Sequence, residues 1–136
     1  MDNLGLVKEA VEARKSSYSP YSSFMVGAAL LTKGGRVYRG CNIENAGYSP
    51  TNCAERTAFF KAVSEGEREF SAIAVAGWAK DKEPGQAFPC GVCRQVMREF
   101  CDPGRFRILI ATDNAGGYTE HTLDELLPHS FGPGNL

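Results

Sequence analysis

The amino-acid sequence predicts an α/β fold, a single five-stranded sheet with helices on both faces. Three observations carry that expectation. Segments with helical and with extended patterning alternate along the chain. Residues 24–31 form a continuous apolar run, as in a strand covered on both sides, and its small residues Gly27, Ala28 and Ala29 would let a helix lie close. Cys93, Val96, Met97 and Phe100 recur at helical spacing just ahead of another strand-like run, 107–111.

Each element follows from local chemistry. Leu4, Val7 and Val11 keep a three-to-four spacing behind Asp2 or Asn3 as a cap, which predicts a first helix ending near Lys15. The polar stretch 16–23, with Pro20, reads as loop, and 24–31 as the first strand. Lys33-Gly34-Gly35 is a hairpin signal, and 36–40 is the returning strand. A loop over 42–52 leads into a helix over 53–64. Residues 72–76 read as the third strand, 81–88 as an exposed loop around Pro84-Gly85, and the helix carrying Cys93 follows. Strands over 107–111 and 118–122, joined by Asn114-Ala115-Gly116-Gly117, complete the sheet. Residues 123–127 predict a short helix, and Gly132-Pro133-Gly134 a loose tail. No repeat, low-complexity tract or linker interrupts the pattern, so residues 1–136 are expected to form a single domain.

Composition excludes several function classes. A 43% hydrophobic share with 23% charged residues is that of a chain able to build a core. Fifteen basic against sixteen acidic residues give a formal charge of -1, which argues against a nucleic-acid partner, because such affinity needs a basic face. No apolar run approaches the roughly 18 residues of a membrane span. The start, Met1-Asp2-Asn3-Leu4, lacks the features of an export signal, and a cytoplasmic location is expected. Five cysteines, an odd number, then suit metal binding better than a disulfide framework.

The chemistry concentrates in Cys53-Ala54-Glu55 and Pro89-Cys90-Gly91-Val92-Cys93. Catalytic zinc is typically held by three protein ligands, with water in the remaining tetrahedral position. Cys53, Cys90 and Cys93 offer three thiols, and Glu55 a carboxylate able to manage that water's protons. Both motifs fall at predicted helix starts, where unpaired backbone N–H groups and the helix dipole favour thiolate. Other readings exist for each part. Glu55 alone fits a capping box with Asn52 as the cap. Cys90 and Cys93 alone fit a redox pair, and a structural zinc would need a fourth ligand, for which Cys41 and Cys101 are available. As free cysteines, Cys41 and Cys101 otherwise read as small buried hydrophobes. His121 and His129 read as surface residues.

Further motifs widen the pattern: Pro20-Tyr21-Ser22-Ser23-Phe24-Met25-Val26-Gly27-Ala28-Ala29, Gly40-Cys41-Asn42-Ile43-Glu44-Asn45, Cys53-Ala54-Glu55-Arg56-Thr57-Ala58 and Pro89-Cys90-Gly91-Val92-Cys93-Arg94-Gln95. Glu125-Leu126-Leu127-Pro128 followed by Phe131 completes it. In this order they resemble the small, homotetrameric cytidine deaminases of the three-cysteine zinc type, over nearly the whole chain. The resemblance implies a three-layer α/β/α fold with a mixed five-stranded sheet and one zinc ion per subunit. It also implies hydrolysis of cytidine and deoxycytidine to uridine and deoxyuridine with release of ammonia, a step of pyrimidine salvage.

Residue by residue, the resemblance implies Cys53, Cys90 and Cys93 as metal ligands and Glu55 as the catalytic acid–base. Arg56 is similar to an arginine that donates to the ligand sulfurs; alone, it would read as a solvent-facing helix residue. Asn42 and Glu44 resemble ribose-hydroxyl contacts with Ile43 between them, against a reading as an Asx-turn and a surface acid. Ala54 belongs to the same set of substrate contacts. Phe24 is similar to an aromatic beside the pyrimidine, with simple core packing as its rival. Phe131 resembles a ring that a neighbouring subunit lays over the base, and Tyr48 a residue lining a neighbouring site, so a homotetramer with shared active sites is expected. The loop around residues 80–85 looks longer than in relatives, and the tail after Phe131 is short and glycine-rich. Alternatives are a deaminase of an aminated nucleoside antibiotic, a nucleic-acid deaminase and a four-ligand zinc module. A nucleic-acid deaminase would commonly carry a histidine at position 53 and a basic groove.

Overall fold

Helix α1, Asn3–Arg14, opens where the Asp2 carboxylate accepts the Gly5 N–H at 2.7 Å, so Asp2 is the cap. Its buried face, Leu6, Val7, Ala10 and Ala13, lies on the sheet. The last residue, Arg14, clamps the helix down. Its guanidinium sits 4.1 Å from the Trp78 ring centre and donates to the Met25 and Trp78 carbonyls at 3.0 and 2.7 Å. The computed structural model describes residues 1–136.

Strands β1 (Phe24–Thr32) and β2 (Val37–Cys41) form the expected antiparallel hairpin, with Gly35 at φ 94° in its turn. Strand β3, Phe70–Ala79, pairs antiparallel with the other edge of β1. Strand β4, Arg107–Ala111, runs parallel to β3, and β5, Tyr118–Thr122, closes the sheet antiparallel to β4. The order β2-β1-β3-β4-β5 is therefore a mixed five-stranded sheet, as expected.

Helices α2 (Ala54–Ser64) and α3 (Gly91–Phe100) cover the face opposite α1. Two apolar cores result. Under α1, Leu6, Val7 and Ala10 meet Ala29, Ala74 and Leu109; under α2 and α3, Phe59 and Met97 meet Ile73, Ile108 and Ile110. Each large side chain fully buried here contributes roughly 1.5–3 kcal/mol by area removed from water. The layers are α/β/α. Their closeness depends on two strand glycines. A Cβ at Gly27 would overlap the Ala10 carbonyl, and one at Gly40 would overlap the Ala54 carbonyl and the Ala58 amide.

Several boundaries differ from expectation. Strand β3 runs well past 72–76 at both ends, because the register with β1 continues through Gly77 to Ala79 and buries Trp78. The short helix α4 is Leu123–Leu126, and the tail forms a 3-10 turn, Pro133–Asn135, instead of staying loose. There the Gly132 N–H donates to the Asn135 side-chain oxygen at 2.8 Å. No helix is long and apolar enough to cross a membrane.

Candidate active site

Helices α2 and α3 start at the same edge of the fold, and their N-cap residues are Cys53 and Cys90. Neither cap makes a side-chain hydrogen bond to its own helix, so both sulfurs are free to point elsewhere. They converge with Cys93 from the first turn of α3. The Cys53–Cys90 and Cys90–Cys93 sulfur distances are 3.8 and 3.5 Å, and all three sulfurs lie within 4.8 Å of one another. Three sulfurs tetrahedrally disposed about 2.3 Å from one zinc stand roughly 3.8 Å apart, so this donor set fits the ion. No fourth histidine, cysteine or carboxylate joins the group. Cys101 is sealed in the core, where burial pushes its thiol up to about 12. Cys41 donates to the Ser16 carbonyl at 3.3 Å instead.

The sulfurs share their charge unequally. The neighbouring Cys93 sulfur, with help from Arg56, lowers Cys53 to about 5, while the Cys53 sulfur and burial raise Cys93. Arg56 Nη2 donates to Cys53 Sγ at 3.2 Å. Its guanidinium is therefore turned inward to the sulfurs, and its Nε is buried without another partner. Although burial acts in the opposite direction, the Cys53 and Cys93 sulfurs raise the Arg56 pKa above its ordinary value. The solvent-facing reading of Arg56 does not hold.

Glu55 is one of only two polar residues in the core, 4% exposed. Burial pushes its carboxyl up to about 7; its own backbone N–H works against this and the Cys53 charge adds to it. The capping-box alternative fails here. The cap is Cys53, one residue later than Asn52, and the Asn52 amide donates to Thr57 Oγ1 at 3.2 Å.

A cavity of about 250 Å³ opens over these groups and is lined by Glu55, Cys53, Ala54 and Cys90. Its lining combines polar residues, Ser22, Asn42, Glu44, Thr51 and Asn52, with apolar ones, Val26, Val75, Ala87 and Phe88. Phe24, 40% exposed, lines the cavity, so core packing does not account for it. The Asn42 amide is partly occupied: Oδ1 accepts the Val26 N–H at 2.9 Å and the Ser17 hydroxyl, and Nδ2 donates to the Phe24 carbonyl at 2.8 Å. Glu44 accepts the Tyr21 and Ser22 N–H groups at 2.9 and 3.1 Å. The Ser22 hydroxyl, with these N–H groups, holds its carboxyl below the usual range. No lysine, arginine or histidine lines this cavity.

Three expected substrate contacts stand outside it. Ile43 forms isolated bridges with Tyr18 and Asn52, and its side chain is exposed. Tyr48 is 79% exposed with φ 41°, a left-handed conformation rare for a bulky residue. Phe131 is tethered through its backbone, whose carbonyl accepts from Gln95 Nε2 at 2.9 Å, while its ring faces outward.

The model of the cytidine and deoxycytidylate deaminase zinc-binding region matches residues 2–108. The chain belongs to that family. It is 52% identical over 136 residues to a cytidine deaminase of Sporosarcina psychrophila, covering 100% of this chain and 96% of that protein. A cytidine deaminase of Halalkalibacterium halodurans is 53% identical over 131 residues, with 96% and 95% covered. The crystal structure of cytidine deaminase from Burkholderia pseudomallei superposes with a TM-score of 0.86 at 45% identity, covering 96% of this chain and 100% of that one. With the family's zinc-binding region and the sulfur cluster in agreement, the cofactor is one zinc ion per subunit.

Membership in the deaminase family also sorts the remaining surface. A larger depression, about 490 Å³, lies at the opposite ends of α2 and α3, among Lys33, Arg68, Arg105 and Arg107. Those cations are already engaged, by Glu69, the Val63 carbonyl, Asp102 and Asn3 respectively. It holds none of the family's chemistry. The cavity residues missed from sequence are Ser22, Val26, Thr51, Asn52, Val75, Ala87 and Phe88. None of them carried a local signal: Phe88, for one, falls in the stretch 81–88 that reads as exposed loop.

Proposed function

We propose that this protein is a zinc-dependent cytidine deaminase, hydrolysing cytidine and deoxycytidine to uridine and deoxyuridine with release of ammonia in pyrimidine salvage. The observation that carries this reading is a buried Glu55 beside three converged sulfurs, lining a cavity with no cationic side chain. A phosphate would find no partner there and would meet Glu44, so a nucleoside fits and a nucleotide does not.

Cys53, Cys90 and Cys93 hold the zinc, and Arg56 offsets the excess negative charge of three thiolates around a divalent ion. When bound, zinc acidifies a coordinated water toward pH 7 and so supplies a nucleophile at neutral pH. Glu55 takes a proton from the incoming water and hands it to ring N3, which makes C4 electrophilic. After oxygen has bonded to C4, Glu55 carries the second water proton to the exocyclic nitrogen. The C4–N bond breaks and ammonia leaves. Steps of this kind typically contribute about 10²–10⁴-fold each. A carboxyl poised near neutrality suits both halves of the cycle, because it gives and accepts protons at comparable cost.

The polar residues of the cavity take the sugar: Asn42 keeps an unused N–H, and Glu44 offers an acceptor to hydroxyls. Ala54 and Phe24 face the base, and Ile43 holds the Asn42–Glu44 loop in register through its backbone. Tyr48 and Phe131 act in a neighbouring subunit's site, which explains two exposed aromatics with nothing to bury against in their own chain. The assembly is accordingly a homotetramer with shared sites, each chain a single catalytic domain in the cytoplasm. The test is the fall in ultraviolet absorbance of free cytidine mixed with purified protein, before and after chelation. Loss of turnover on chelation and recovery with zinc are expected; turnover that survives complete metal removal would end the reading.

A further inference from the structure

The segment ahead of Cys90 is docked on an edge strand. Gln86 Nε2 donates to Thr119 Oγ1 at 3.4 Å, and the Phe88 ring meets the His121 ring edge-on, with centroids 5.2 Å apart and planes at 66°. Thr119 Oγ1 and His121 Nε2 lie 3.0 Å apart. Residues two apart share a face of β5, so this face gives the segment two fixed points. Pro89 adds a third constraint, since a residue before proline is held extended. Phe88 is nevertheless 44% exposed and lines the cavity, two residues from Cys90. A pyrimidine nucleoside presents a flat ring, apolar along its C5–C6 edge, and a hydroxyl-bearing sugar.

We propose that Phe88, braced edge-on by His121, is a specificity-determining wall against the pyrimidine ring and sets the largest ring substituent the cavity admits. The proposal rests on the nucleoside-deaminase reading above. His121 does not line the cavity; it is a positioning residue that acts through Phe88. A constrained phenyl cannot swing aside for a methyl group, and one methylene in a rigid apolar pocket typically discriminates by about 10–200-fold.

The test compares kcat/KM for cytidine and 5-methylcytidine on the zinc-loaded full chain and its Phe88→Leu, Phe88→Ala and His121→Ala variants. In Phe88→Ala the 5-methyl-to-unsubstituted ratio should rise about tenfold or more, with zinc content unchanged and the KM for cytidine altered more than kcat. Phe88→Leu should show a smaller rise, and His121→Ala a rise in the same direction. A ratio within about twofold of wild type in Phe88→Ala, with both substrates falling in parallel, overturns the proposal. An unchanged ratio in His121→Ala alone removes the bracing role. For a variant too slow to assay, calorimetric affinities for 5-methyluridine and uridine report the same steric discrimination in the ground state, and their ratio should move in the same direction. A wild-type chain that binds these nucleosides but deaminates neither cytidine would instead refute the functional reading, and the binding ratio would still decide the role of Phe88.

Discussion

Two glutamates near helix starts have opposite fates. Thr122-Leu123-Asp124-Glu125 and Asn52-Cys53-Ala54-Glu55 both match a polar residue followed three later by glutamate. At α4 the match is a true capping box. Thr122 Oγ1 accepts the Glu125 N–H at 3.3 Å, and Glu125 accepts the Thr122 N–H at 3.1 Å, which holds its carboxyl below the usual range. At α2 the helix starts one residue late, the cap falls on Cys53, and Glu55 is left buried with a carboxyl pushed up to about 7. The two regions share a local code but not a solvent. Where water reaches the helix end, glutamate serves the backbone; where the fold buries it beside the sulfurs, its carboxyl is pushed up toward neutrality.

The largest expected break of this contrast is Glu55→Gln. Turnover of cytidine should fall by at least about 10²–10⁴-fold, while zinc content and the unfolding midpoint stay level or rise, since a buried acid costs stability. A variant retaining a tenth of wild-type activity would remove Glu55 from the chemistry. Next comes Arg56→Gln. Losing the donor to Cys53 should weaken zinc retention against a competing chelator, or activity, by about 10–100-fold; wild-type values for both would return Arg56 to a packing role. At the capping end, Thr122→Ala should cost about 0.5–2 kcal/mol in denaturant unfolding and leave kcat/KM unchanged.

The smallest effect sharpens the contrast through pH. Because the folded Glu125 carboxyl titrates below its unfolded value, the stability that it adds is complete above the unfolded pKa and disappears as pH falls through the folded one. Unfolding curves of wild type and Glu125→Gln should therefore differ at neutral pH and converge in acid. A constant gap would show that ionisation plays no part.

Much of this was legible in the sequence because the relevant signals are local. The cysteine spacings put donors at two helix starts, and runs such as 107–111 gave a strand that the structure keeps unchanged. What the sequence hid was set by distant partners. Gly77 looked like the end of a strand, yet β1 pairs with it and carries β3 on to Ala79. Phe88 sat in a stretch that reads as exposed loop, and only β5, some thirty positions later, turns it into a cavity wall. Asn52 looked like a helix cap because a four-residue pattern cannot say where the first turn begins. Tyr48 and Phe131 mark the same boundary: in the proposed shared-site assembly, their outward-facing rings act beyond their own chain.

The approach of α2 to Gly40 has a consequence for the metal. Strand β2 touches that helix at Ala54 and Ala58, so the seat of Cys53 is gauged by a residue that offers no donor and never meets the ion. The grip on zinc is in this sense a mechanical tolerance, machined by a bare α-carbon of the neighbouring strand.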